Sequence, residues 1–369
     1  MTRLLYSDII NAQPEILQKH LAICLDFILS QVDGVISIIL TGGYGRGEGT
    51  WIRKDHSYVP YNDYDFIVIL DENPEISGAR PLSIDTVGLA ARLGISWVDV
   101  DFLSVNKLKT LKSTVKNYDI LHGSAIIYGD DCILERVTAI SADQLSTQDL
   151  YTYFNTRAYT VLCCLPKDKQ LSDLDGDELQ FFRNQLAKGL LAVMDCTLIS
   201  EYRFYCSSYA KRVEYYTKVS KNKEKVALFR WALNEKIDPS NNSFSLGFGH
   251  QTHKKLYELY KTDMNQFLGQ YFYGIQVTLN RYSLLSLTRV TPLLKFILSK
   301  MFYRFKRYKV EQALNHLQYI LIMSWRPNGG LDSFEEQRTA IEKLIQIIEP
   351  GTNIDLCRSS CIDIIRRSR

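Results

Sequence analysis

The chain has 369 residues, of which 46% are hydrophobic, 12% aromatic and 23% charged. That is a globular composition, and it excludes wholesale disorder and a fibrous architecture. The net charge of +3 is unevenly placed: residues 1–145 carry 12 Lys+Arg against 19 Asp+Glu, net −7, and the remainder carries 32 against 22, net +10. An acidic half that gathers cations, joined to a basic half that gathers anions, is one reading of this split. Two solvated surfaces of different composition are the other. No apolar run approaches the ~18 residues needed to cross a bilayer, and the N-terminus has no signal-peptide core. The eight cysteines are scattered, with no CxxC pair, which suits buried thiols in a reducing compartment. A soluble, cytoplasmic protein with no integral membrane association is expected.

Residues 14–31 place Ile16, Leu17, Leu21, Cys24, Leu25 and Ile28 at the period of an amphipathic helix. Gly34 separates it from a β-branched run over 35–40, which reads as a buried strand. A glycine-rich turn, a polar and aromatic loop over 51–62, and a second apolar strand over 64–70 follow. Residues 81–94 are patterned as a helix, 95–105 as a third strand, 106–116 as a helix and 124–128 as a fourth strand. Gly129-Asp-Asp then turns into a further helix. Strands alternating with helices make 1–145 one domain of sheet and helix. From Ser146 the pattern changes to long apolar-periodic segments, about 147–164, 177–200, 207–235, 252–287, 292–324 and 334–349. These predict a helical domain over 146–350 and a tail at 351–369.

The chemistry-bearing stretch runs Ile38-Ile-Leu-Thr-Gly-Gly-Tyr-Gly-Arg-Gly-Glu-Gly49, followed by Asn62-Asp-Tyr-Asp-Phe-Ile-Val-Ile-Leu70. A strand ending at Gly42-Gly43 presents backbone N–H groups with no Cβ in the way, a cradle for phosphate oxygens. Arg46 could add a charge-assisted contact. Taken alone, the turn reads first as a tight strand-to-helix bend. Asp63 and Asp65 change the balance, because residues two apart on a strand share a face. The third strand repeats the device in Trp97-Val-Asp-Val-Asp-Phe-Leu, with Asp99 and Asp101. Like charges packed together are costly without compensation. A divalent cation resolves the conflict, and Mg²⁺ favours a few carboxylates together with substrate phosphate oxygens.

Strand, Gly-Gly, helix, then Asp-x-Asp opening a strand and a further acid on a later strand: this layout resembles the nucleotidyltransferase superfamily of the DNA polymerase β type. The stretch from Trp97 to Ser104, continuing to Leu121-His-Gly-Ser, is similar in layout to kanamycin nucleotidyltransferase among the minimal and antibiotic members. The resemblance spans residues ~35–130. It implies an α+β fold, with a mixed sheet and flanking helices followed by an all-helical C-terminal domain. It also implies an enzyme that moves a nucleoside monophosphate from an NTP, ATP foremost, to an acceptor hydroxyl, releasing pyrophosphate. Gly42 and Gly43 would hold the triphosphate, and Asp63 and Asp65 would bind catalytic Mg²⁺ or Mn²⁺. Asp99 would supply the third carboxylate, with Asp101 as the alternative. Between Gly43 and Asp63 stand 19 residues, more than the family usually has, so 51–62 reads as an insertion that could lid the site or touch the acceptor.

In the helical half, Phe182, Leu186, Leu190 and Met194 form one apolar face. Lys188 on this helix could reach a nucleotide phosphate, although a snorkelling lysine is the simpler reading. Asp195 is a weaker candidate for an acceptor-side base. His250 and His253 are too few for a zinc site. A small-molecule acceptor is expected first. RNA, favoured by the basic half, or a protein hydroxyl is a second possibility, and a catalytically retired nucleotide-binding module is a third.

Overall fold

The computed structural model describes residues 14–54, 56–71, 84–145, 149–150, 153, 157 and 170–271. The chain divides into two units, one drawn from Met1–Ser146 and Leu198–Ser243, the other from Thr147–Thr197 and Phe244–Arg369. The first unit is therefore discontinuous in sequence. A change of periodicity at Ser146 does not display that.

Along the first unit, helix α1 (Pro14–Gln31) leads into β1 (Val35–Thr41) and a single helical turn, α2 (Gly42–Gly45). A hairpin, β2 (Thr50–Lys54) and β3 (Ser57–Tyr61), precedes β4 (Asp63–Leu70). Then come α3 (Thr86–Leu93), β5 (Trp97–Ser104), α4 (Val105–Lys109), α5 (Val115–His122) and β6 (Ala125–Gly129). Four strands form one sheet in the order β5-β4-β1-β6. β1 runs antiparallel to β4 and to β6, while β4 and β5 are parallel. The architecture is thus α+β, with a mixed sheet and flanking helices.

Period-2 alternation sorts the strand residues onto two faces. Ile38, Leu40, Tyr64, Phe66, Val68 and Val98 pack with Cys24 and Ile28 of α1 and with Leu89 and Leu93 of α3. On the other face, Ile39, Ile67 and Ile69 pack with Val105 and Leu108 of α4 and Ile120 of α5. Each large aliphatic side chain so buried contributes ~1.5–3 kcal/mol. Burial also pushes the Cys24 thiol up to about 12, so it is an inert core thiol. Counting back from Ile69 and Ile67 in steps of two reaches Asp65 and Asp63. The second face therefore turns from apolar to acidic at one end of the sheet.

The structure departs from the expected elements in four places. Where a loop is expected over 51–62, β2 and β3 pair as antiparallel strands. Trp51 is only 1% exposed, Arg53 N donates to Ser240 Oγ (2.8 Å), and Asn241 Nδ2 donates to the Tyr58 hydroxyl (2.7 Å). These bonds tie the hairpin to Pro239–Asn241 within the same unit. The helix expected over 106–116 is two helices. Thr114 breaks it by accepting Asn117 N on its side chain (3.1 Å), an N-cap that starts α5. After Gly129 the chain makes only a 3₁₀ turn, Ile133–Arg136.

The segment expected to run helically over 207–235 is likewise two helices, α7 (Tyr209–Val219) and α8 (Lys223–Ile237). Asn222 caps the second by accepting Lys225 N (3.0 Å). Upstream lies α6 (Gly176–Tyr202), ended by Arg203 in the left-handed region (φ 50°). Its portion up to Thr197 belongs to the second unit with α9 (Leu246–Tyr271). There Phe182, Leu186, Leu190 and Met194 are fully buried, as their spacing predicts. At Gly189 a Cβ would stand 2.7 Å from Leu256 Cδ2, so this glycine lets α6 and α9 approach closely. Among the described residues, no helix is long and apolar enough to cross a membrane. Segments 292–324 and 334–349 and the tail at 351–369 lie outside the described residues, as does most of 147–164.

Candidate functional site

Asn62 precedes β4 with φ 88°, a left-handed conformation that Asn tolerates better than most residues. Its side-chain amide donates to Asp63 Oδ1, and its carbonyl accepts from Ser96 N (2.9 Å) and Trp97 N (3.3 Å). One residue thus fixes the starts of both β4 and β5. The parallel register then places Asp63 beside Trp97 and Asp65 beside Asp99.

From this arrangement Asp63, Asp65 and Asp99 each offer a carboxylate oxygen, and the three lie within 4.8 Å of one another. Asp63 and Asp65 are partly buried and Asp99 is exposed. Three hard oxygen donors from neighbouring strands, open on one side, match the donor set of Mg²⁺ or Mn²⁺. They could share one cation after small side-chain rotations. Asp101 is not part of this group. Its register partner is Ile67, its side chain is 65% exposed, and it pairs with Lys116 (3.1 Å).

Gly42 stands against the triad. It adopts φ +66°, and a Cβ there would sit 1.9 Å from Asp65 Oδ2. Only glycine satisfies both constraints. At Gly43 a Cβ would meet the Glu48 carbonyl oxygen at 3.1 Å. The turn closes on itself through Arg46 N to Gly42 O (3.3 Å) and Glu48 N to Gly43 O (2.7 Å). The Tyr44 hydroxyl reaches the backbone of Thr50 and Tyr61, which holds the turn to the hairpin.

Arg46, expected at a phosphate, is buried among partners from its own chain. Its side chain is 8% exposed, with Nη1 3.4 Å from Asp119 Oδ2 and Nε 3.8 Å from Glu48 Oε2. Its guanidinium lies 4.8 Å from the centre of the Tyr209 ring. Burial works against its charge, yet Tyr209, Asp119 and Tyr205 together raise its pKa above the ordinary value. Arg212 joins the same cluster, 4.3 Å from the Tyr209 ring and 4.6 Å from that of Tyr205. Its Nη1 donates to Cys206 O (2.6 Å).

Glu48 completes the cluster. Its carboxylate accepts from Ser208 Oγ (2.7 Å), Tyr209 N (2.7 Å) and Ala210 N (3.0 Å). A carboxylate from the glycine turn thereby caps the N-terminus of α7, where the helix dipole and the first N–H groups favour negative charge. Asp119 accepts from the Tyr205 hydroxyl (3.1 Å). Burial raises its pKa above 3.8 despite the opposing pull of Arg212, Arg46 and Tyr205.

Lys188 is half-buried on α6, in the second unit. Asp195 is fully buried there, with the Tyr153 hydroxyl donating to its Oδ2 (3.0 Å). His253 packs edge-on against Phe182, with ring centres 5.7 Å apart.

Sequence reasoning missed Asn62, Glu48, Asp119 and Arg212. Asn directly before the Asp-x-Asp strand was a usable signal for a left-handed turn. The other three come from distant segments, and no local pattern marks them. Compared with family models, curated proteins and solved structures, the chain finds no match.

Proposed function

We propose that the protein is a Mg²⁺- or Mn²⁺-dependent nucleotidyltransferase that moves a nucleoside monophosphate from an NTP, ATP foremost, to an acceptor hydroxyl on a small molecule. The observation that carries this reading is the convergence of Asp63, Asp65 and Asp99 within 4.8 Å, beside a glycine whose missing Cβ makes room for Asp65. A divalent cation bound there would supply Lewis-acid stabilisation of the phosphoryl oxygens. The turn at Gly42 and Gly43 would offer backbone N–H groups to the triphosphate, and Asn62 holds Asp63 in place. The acceptor oxygen bonds to the α-phosphorus as the bond to the bridging oxygen of the β-phosphate breaks. Pyrophosphate leaves with that electron pair, and the hydroxyl proton passes to the exposed carboxylate of Asp99.

The reading extends to a second unit that is helical throughout, which α6 and α9 support, and to a cytoplasmic setting, which the scattered cysteines support. A second reading, with RNA as acceptor, draws on the net charge of +10 in residues 146–369.

The test is incubation of the purified protein with each α-labelled NTP and Mg²⁺ or Mn²⁺, alone and with a cell extract. Wild type should label one species, and Asp63→Asn/Asp65→Asn should lose ~10²–10³-fold or more in rate while keeping its fold. The size of the labelled species separates a metabolite from RNA or protein. Absence of label with every nucleotide, together with absence of nucleotide binding, would overturn the enzymatic reading.

A further inference from the structure

We propose that Trp97 is a contact platform for the acceptor, and that the acceptor presents the flat face of a ring next to its reacting hydroxyl. The inference rests on the nucleotidyltransferase reading and adds a specificity-determining residue to it.

Trp97 is 61% exposed, whereas Trp51 is 1% and Trp231 8% exposed. Indole is large and apolar, and folded proteins bury most of it. Here it opens β5 beside Asp63 in the parallel register. It lies two residues before Asp99, and so on the same face of the strand. Its backbone is held by the bond from Trp97 N to Asn62 O (3.3 Å), the residue that also sets Asp63. The indole therefore stands on the face of β5 that carries Asp99, at the register position beside Asp63, with its ring open.

The order of the strands says which ligand it meets. Across the sheet, the glycine turn follows β1, Asp63 and Asp65 lie on β4, and Asp99 and Trp97 lie on β5, the edge strand among the described residues. In an in-line displacement the attacking oxygen arrives opposite the leaving group. With the leaving phosphates at Gly42 and Gly43, the attacking oxygen comes from the β5 side, where Trp97 stands. An exposed indole takes the C–H face of a saturated ring or the π-face of an aromatic one, and it does little for a linear, strongly hydrated chain.

The experiment is steady-state kinetics of Trp97→Ala and Trp97→Phe with the acceptor recovered from the labelling assay. Trp97→Ala should raise the KM for that acceptor ~10-fold or more. It should leave the KM for the NTP and the kcat at saturating acceptor near wild type, and Trp97→Phe should recover most of the loss. An unchanged melting temperature confirms that each variant folds, as substitution of an exposed side chain allows. Transfer that persists with the acceptor KM unmoved would overturn the role of Trp97 alone. So would a rise confined to the KM for the NTP, which would place the nucleobase on the indole. Absence of transfer by wild type would overturn the function and this inference together.

Discussion

Two charged clusters lie in the first unit, and they are built on opposite plans. Arg46, Glu48, Asp119 and Arg212 mix two cations with two carboxylates in the interior, where Arg212 is 0% and Glu48 3% exposed. Asp63, Asp65 and Asp99 bring three carboxylates within 4.8 Å of one another, at a sheet end where Asp99 is exposed. Burial of charge in the first is offset by opposite charges beside its guanidinium groups and by helix N–H groups on Glu48. Like charges brought close in the second repel one another, a cost that a bound cation would offset. The mixed cluster fastens the glycine turn to α7, and the acidic cluster is what that turn positions.

The sharpest way to break this comparison is Glu48→Ala. It removes the acid that caps α7 and faces Arg46, and it leaves a buried guanidinium short of a partner. Removing one side of such a pair costs ~3–5 kcal/mol. Urea unfolding should show that loss as a lower midpoint. If the urea midpoint hardly moves, the cluster is not what fastens the turn.

Gly42→Ala should act the other way round. A left-handed φ costs a non-glycine residue ~1–2 kcal/mol, so the loss of stability is smaller. The new Cβ, however, would meet Asp65 Oδ2 at 1.9 Å and push that carboxylate away from Asp63 and Asp99. Calorimetric titration with Mn²⁺ should show weakened binding in a protein that still folds. Wild-type Mn²⁺ affinity in Gly42→Ala would mean that Asp65 is not a ligand.

Much of this was legible in the sequence, because local period and local chemistry carry it. The run from Asp63 to Leu70 alternates acid with aromatic residues and then becomes wholly apolar, which marks a strand with one polar end. Asp-x-Asp on that strand and Asp99 on a later one follow from the same period-2 rule. What the sequence left open is whether Asp99 or Asp101 joins the pair. That depends on the β4–β5 register, which Asn62 O sets by accepting from Ser96 N and Trp97 N. The internal partners of Arg46 were hidden for a related reason. Beside two glycines it looks like a phosphate ligand, but its partners Asp119 and Tyr209 arrive from 73 and 163 residues away. The hairpin at 51–62 was hidden by Pro60 and by polar residues. Its buried member, Trp51, counts as core only once Tyr44 is known to pack against it, with ring centres 6.0 Å apart.

The mildest test asks how complete the compensation inside the mixed cluster is. Asp119 sits among Arg212, Arg46, the Tyr205 hydroxyl and Glu48, and burial outweighs the favourable partners, so its folded pKa lies above 3.8. The folded state therefore holds this proton more tightly than the unfolded chain does. Its contribution to stability is complete below pH 3.8 and is lost as pH rises through the folded pKa. Asp119→Asn removes that titration. Urea midpoints from below pH 3.8 to neutrality, wild type minus variant, should leave a component that falls as pH rises, with a slope of no more than one proton. A component of the opposite sign would mean that Arg46 and Arg212 hold the Asp119 pKa below 3.8. The mixed cluster would then be fully compensated, and its contrast with the acids of β4 and β5 larger still.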